Sequence, residues 1–169
     1  MVTIHAKEII QKSVDDLIPY DRNPNIHPAD QINQLVDSIR EWGFTVPILI
    51  DENDTVLAGH GRLFAAKSLG MDEVPCFTAT GWTEAQKRAY VIADNKLSEG
   101  SEWDTSLYLS ELKEIGDAGF DLSLAGFDHD TLAELLKEDP PEGLTDEDVA
   151  PEVQDNPVTV EGDVWILGN

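Results

Sequence analysis

From Ala29 onward the apolar residues Ile32, Leu35, Val36 and Ile39 recur at three- and four-residue spacing, which predicts a helix that Trp42 and Gly43 end. PILI at 47–50 is a short apolar run of the kind a buried strand shows, DENDT is a turn, and VLA at 56–58 returns as a second strand, so the pair predicts a hairpin. A second helix begins near His60, with Leu63, Phe64, Ala66 and Leu69 as its buried side, and stops at Gly70. VPCF at 74–77 is a further strand. Upstream, residues 8–20 (EIIQKSVDDLIPY) read as a strand followed by a short turn of helix. YDRNPNIHPAD then gathers prolines, asparagines, an arginine and a histidine into a polar loop.

Beyond Gly81, Thr83 and Gln86 have the spacing of a capping box, and the helix they open carries Ala89, Tyr90, Ile92 and Ala93 toward DNKL. Residues 101–120 contain another amphipathic helix, with Leu107, Leu109, Leu112 and Ile115 apolar, and FDHDTLAELLKE a short final one. Residues 138–157 have the composition of a linker, rich in acids and prolines without apolar periodicity. VTVEGDVWILGN turns apolar again, as the opening strand of a further domain would.

Composition narrows the classes. No run approaches the length of a membrane span, the amino end lacks the apolar core of a secretory signal, and the single Cys76 excludes an intramolecular disulfide framework. These features suit the cytoplasm. The net charge of −23 is uneven: residues 1–97 hold 9 Lys/Arg and 14 Asp/Glu, a balance of −5, and residues 98–169 hold 2 and 20, a balance of −18. So acidic a tail repels a phosphate backbone, which argues against strong nonspecific nucleic-acid binding by this chain alone. The cations Arg22, Arg62, Lys67, Lys87, Arg88 and Lys96 lie in the first half, where they could gather around one anion.

The stretch with the most chemistry is GHGR, Gly59 to Arg62, between a strand and a helix. The amino end of a helix presents unpaired N–H groups and partial positive charge, glycine lets backbone approach a ligand, and arginine holds an oxyanion through paired hydrogen bonds. The plainer alternative is a strand-to-helix turn with a surface arginine, and for His60 a turn-capping role. Trp42, Phe44, Trp82 and Trp103 follow no stacking pattern for nucleic acid and read as core or hinge residues. DPPE at 139–142 has the beginning of an amino-methyltransferase motif but lacks its aromatic residue and its apolar strand, so the chain is not expected to methylate anything.

The series PYDRNPNIHPADQINQLVDSIREWGFTVPILI, VLAGHGRLFAAKSLGMDEVPCF and TEAQKRAYVIADNKL resembles the ParB/sulfiredoxin superfamily amino-terminal domain over about residues 8–97. AGHGR, AYVIADNKL and the extension through GFDHDTLAELL look like the ParB-like domain that precedes some phage and bacterial DNA modification methylases. VEGDVWILGN looks like the opening of their methyltransferase domain. The resemblance implies an α/β (α+β) fold, a small mixed sheet flanked by helices and followed by a helical extension. It also implies the division 1–97 ParB-like domain, 98–138 acidic helical extension, 139–157 linker and 158–169 start of a further domain.

Carried over residue by residue, the resemblance makes Gly59, His60, Gly61 and Arg62 a phosphate turn. Arg22, Asn23 and His27 become the closing loop, and Asp94 with Asn95 the metal side. Mg²⁺ with CTP or ATP is the implied cofactor, DNA the partner through an associated methyltransferase domain, and a homodimer the implied assembly. The chain departs from CTP-hydrolysing ParB proteins, which carry an acid and an arginine where His60 and Gly61 stand, and from sulfiredoxins, which carry a cysteine in this turn. These departures favour a nucleotide-sensing module over an enzyme. An ATPase, kinase or nuclease of the same fold, with Asp21, Asp94 or His27 as base, and a docking module without nucleotide are the alternatives.

Overall fold

The computed structural model describes residues 8–127 and 129–135. The chain divides into two compact units, Met1–Leu136 and Lys137–Asn169. The expected linker, the DPPE stretch and the strand over 158–169 belong to the second and lie outside the described residues.

Five strands form one mixed sheet: β1 (Ile10–Ser13), β2 (Ile18–Pro19), β3 (Ile48–Ile50), β4 (Thr55–Ala58) and β5 (Glu73–Thr78), in the order β1-β5-β3-β4-β2. β3 and β4 are the expected hairpin, antiparallel, with Asp54 in the left-handed region at φ 61°. β5 lies parallel to β3 and antiparallel to β1, and β2 runs parallel to β4 at the edge. The helices are α1 (Ala29–Trp42), α2 (His60–Leu69), α3 (Glu84–Ser98), α4 (Thr105–Asp117) and α5 (His129–Leu135), with a 3-10 turn over Leu122–Ala125. This is the α/β architecture that the resemblance implies.

Both faces of the sheet are covered, which is why the β3 sequence is apolar without alternation. Ile48, Ile50 and Val56 join Leu63 and Ala66 of α2 in one core cluster, while Leu49, Leu57 and Ala58 join Val91 of α3 in the other. Pro28 bounds α1, and Gly70 closes α2 in the left-handed conformation at φ 69°, its N–H donating to the last carbonyls of the helix. The Thr83–Gln86 capping box forms in both directions and opens α3.

Some expectations need correction. The expected turn of helix before Tyr20 is a tight turn, in which the Asp16 N–H donates to Ser13 O, followed by the edge strand β2. Val14 and Leu17 are buried and pin this segment to the core, and Pro19, which has no N–H, fits an edge strand. On α2, Ala65 is buried and Phe64 and Leu69 only half so, because the helix lies between α1 and the sheet and buries more than one stripe. α3 buries Lys87 and Val91 while Ile92 is exposed, and it runs on through DNKL to Ser98. On α4 only Leu112 is buried; Leu107 and Trp103 are exposed. Trp103 is therefore no core residue, and it tilts against Tyr108 at 4.9 Å between centroids. Trp42 is half exposed and stacks on Phe120, and Gln34 Nε2 donates to Gly126 O, so the segment after α4 is seated on α1.

Candidate functional site

β4 ends at Ala58, and the chain enters α2 through Gly59 at φ 95°, ψ 26°, with no side chain capping the helix. The two glycines of the turn serve different ends. A Cβ on Gly59 would stand 2.9 Å from Arg62 Nη2, so Gly59 supplies the left-handed turn and lets the Arg62 side chain fold back over it. A Cβ on Gly61 would stand 2.8 Å from Leu35 Cδ1 and 3.3 Å from His27 Nδ1, so Gly61 lets α1 and the polar loop close on the turn.

Arg62 is half-buried, and its Nε is buried without a hydrogen-bond partner. Among the described residues it makes no ion pair either. Burial holds its pKa below the ordinary arginine value, and Asp94, acting through space, opposes this. A buried donor left unmade costs about 1–3 kcal/mol, so the unliganded fold carries this group at a penalty.

His60 is 5% exposed, and its Nε2 accepts the Tyr20 N–H at 3.2 Å. That bond places the proton of the neutral ring on Nδ1. Burial first, and then the field of His27, push its pKa down to about 4, against the opposing pull of Asp94. His60 is therefore neutral near pH 7 and ties the polar loop to the turn. It does not cap the turn it stands in, because its bond reaches Tyr20 across 40 positions.

His27, Leu35, Ala58, the Gly59–Arg62 turn, Asp94 and Asn95 line one cleft of about 200 Å³. The structure thus brings together seven of the nine expected site residues. His27 Nδ1 bonds Gln31 Oε1 at 3.0 Å, and its ring meets Phe64 edge-on. Arg22 and Asn23 do not line the cleft. Arg22 is exposed, and Asn23 Oδ1 accepts the Asn25 N–H in a local turn. The loop is anchored instead by Asn25, whose Nδ2 donates to Asn95 Oδ1. Nothing in the sequence distinguishes which asparagine of NPN turns inward.

The metal side is partly committed. Asn95 Oδ1 is taken by Asn25, and its Nδ2 donates to Val91 O. Asp94 Oδ1 accepts the Tyr90 hydroxyl at 3.3 Å and remains an exposed carboxylate. Among the described residues no three His, Cys, Asp or Glu side chains cluster to hold a metal ion. Mg²⁺ would fit here only as an ion shared between Asp94, phosphate oxygens and water, an arrangement this metal commonly takes.

The six cations that could gather around one anion do not do so. Arg62 alone of them lines this cleft. Lys96 pairs with Glu99, and Lys87 is held by Asp51 at 2.7 Å, Glu84 at 3.0 Å and Glu52 at 3.4 Å. The hydrogen bond that Lys87 donates to Asp51, then the one it donates to Glu84, raises the Lys87 pKa. Burial pushes the Asp51 carboxyl up, but Lys87 and the Thr55 and Asn53 amides outweigh it, and the net direction is down. Lys87 and Arg88 line a separate cavity of about 410 Å³ between β2, β4 and α3. Sequence reading missed the buried role of Lys87 because a lysine in a helix that also carries exposed charges gives no sign of burial.

The mixed sheet, its flanking helices and the glycine-arginine cleft at the start of α2 are those of a ParB-like domain. Residues 2–95 match the ParB N-terminal domain and residues 109–161 match the ParB-methyltransferase HTH domain. The chain belongs to the ParB N-terminal domain family. It is 43% identical over 81 residues to the ParB-like nuclease domain-containing protein YnaK of Escherichia coli K12, spanning 48% of this chain and 93% of that protein. It is also 37% identical over 65 residues to the uncharacterized protein ORF326b of Acidianus two-tailed virus, covering 38% of this chain and a fifth (20%) of that protein. The fold is similar to that of the chromosome-partitioning protein ParB from Caulobacter crescentus complexed with CTP-γ-S, at a TM-score of 0.56 and 17% identity over 76% of this chain and 70% of that one. No helix among the described residues is long and apolar enough to cross a membrane.

Proposed function

We propose that this chain is the nucleotide-sensing, DNA-associated module of a DNA modification methylase, holding the phosphates of CTP or ATP in the Gly59–Arg62 cleft. The observation that carries the reading is the unpartnered, buried Nε of Arg62 at the uncapped start of α2. A helix amino end and a guanidinium converging on one cleft suit a phosphate. The fold's likeness to a ParB protein crystallised with a CTP analogue supports the same ligand class. Mg²⁺ enters with the nucleotide, through Asp94. His27 and the Asn25-anchored loop close over the ligand, with Arg22 and Asn23 supplied by movement of that loop. Residues 1–97 form the sensing domain in this reading. The match to a ParB-methyltransferase HTH domain supports DNA association through the segment that follows and an adjoining methyltransferase domain, with a homodimer as the assembly.

Thermal unfolding of the wild type and Arg62→Ala with CTP, ATP, ADP and GTP, each with Mg²⁺, tests the reading, because a ligand that binds only the native state raises the midpoint. A rise for CTP or ATP that Arg62→Ala loses is expected. A charge-assisted bond of this kind contributes about 1.5–3 kcal/mol, so Arg62→Ala should weaken binding roughly ten- to a hundredfold. Turnover of the nucleotide would favour the enzyme alternative. No response in two well-folded proteins would leave a docking module.

A further inference from the structure

We propose that the cavity between β2, β4 and α3 is a second ligand site, which takes a small aliphatic amino acid by its two opposite charges. The cavity shares no lining residue with the Gly59–Arg62 cleft and does not depend on what that cleft binds.

The space follows from how the sheet ends. β2 is the edge strand, only two residues long, and it stops at Pro19. α3 packs on β4 beside it and forms the other wall. Glu84, Lys87, Arg88 and Val91 recur at three- and four-residue spacing, so one face of the helix lines the cavity. Thr55 and Leu57 line it from one face of β4. Its volume of about 410 Å³ lies in the range of small-molecule pockets.

The charges around it fall into two sets. Lys87 and Asp51 are buried and bonded to each other, with Glu84 also on the ammonium, so these are spent within the fold. Asp21, in the loop after β2, and Arg88, on α3, are both exposed. Neither side chain makes an ion pair or hydrogen bond with any described residue. Between these two unspent charges lies an apolar floor, with Leu57 and Val91 buried and Ile18 half exposed.

Opposite charges that line one cavity without meeting suit a ligand that carries an ammonium, a carboxylate and a hydrocarbon body. The ammonium meets Asp21, and the hydrocarbon lies on Ile18, Leu57 and Val91. The carboxylate meets Arg88, whose paired N–H groups match its two oxygens. A phosphate-bearing ligand does not suit the site, because Asp21, Asp51 and Glu84 all line it and Lys87 is already spent on two of them.

Amide NMR of the full chain tests this by titration with leucine, whose charges share one carbon, and with ε-aminocaproate, whose charges lie at opposite ends. Hexylamine and caproate are the single-charge controls. One or both amino acids should shift the Tyr20, Thr55, Leu57 and Val91 amides, binding about five- to tenfold more tightly than either control. Arg88→Gln and Asp21→Asn change exposed side chains and should each reduce that affinity to the level of the control lacking the matching charge. If hexylamine or caproate binds as tightly as both amino acids, the two charges are not read and the inference is overturned. It is overturned equally if neither amino acid shifts these amides, or if both variants bind as the wild type does.

Discussion

Two cations are drawn into this small domain, and the chain treats them oppositely. Lys87 on α3 is met by three carboxylates, with Asp51 at 2.7 Å and buried beside it. Arg62 on α2 is half-buried with its Nε shut away from water, and no carboxylate of the described residues pairs with it. Lys87 is a structural charge, satisfied by the fold that contains it. In the proposed function, Arg62 takes its stabilising partner from outside the chain. An interior charge without a partner is expensive, and such groups concentrate where function needs them.

The largest expected effect is on the satisfied side. Lys87→Met strands the Asp51 carboxylate and should lower unfolding stability by about 3 kcal/mol, the low end for a broken buried pair because the exposed Glu84 lets water near the ammonium. Urea unfolding measures it, and the Lys87→Met, Asp51→Asn double variant should recover part of the loss. Nucleotide binding by the folded fraction should not change; a loss there would join two regions that are separate here.

Acid sharpens the comparison by charging His60 in the cleft. The folded His60 pKa of about 4 lies below its ordinary 6.5, so the unfolded chain binds the proton first as pH falls. The stability contributed by keeping His60 neutral is complete above about pH 6.5 and is lost as pH falls toward about 4, a change of up to about 3 kcal/mol. Melting midpoints of the wild type and His60→Gln across this range should diverge, with the variant less dependent on pH. Parallel curves would mean that His60 is not the titrating group.

Gly59→Ala should act on the cleft by geometry. A Cβ at φ 95° is strained and stands 2.9 Å from Arg62 Nη2, so the substitution should cost about 1–2 kcal/mol of stability and also displace the guanidinium. Weaker nucleotide binding than the stability loss explains is the expected signature, read by titration at a temperature where the variant is fully folded.

The elements around the cleft were legible because each carries its own local signal: helical spacing through Ile39, glycine at 43 and 70, the apolar run at 48–50, and the Thr83–Gln86 box. Seven of the residues that line the cleft were legible through the GHGR and DN motifs and the resemblance that ordered them. What stayed hidden depends on contacts distant in sequence. Asn25 reaches Asn95 across 70 positions, and Lys87 reaches Asp51 across 36, and neither pairing leaves a periodic trace. Arg22 and Asn23 were expected on the cleft because a loop's composition shows its polarity but not which side chains turn inward. The two-residue β2 is too short to have a period of its own.

The central claim is that Arg62 is kept unsatisfied for an external phosphate, and Arg62→Met tests it most directly. Urea unfolding without ligand, followed by melting with Mg²⁺ and CTP or ATP, reads both halves of the claim in one variant. Removing an unmade buried donor while keeping the side chain's length should leave the unliganded protein as stable as the wild type or more so, by up to about 1–3 kcal/mol, and should abolish the nucleotide response. An Arg62→Met protein that is less stable than the wild type yet still responds to nucleotide would contradict the account.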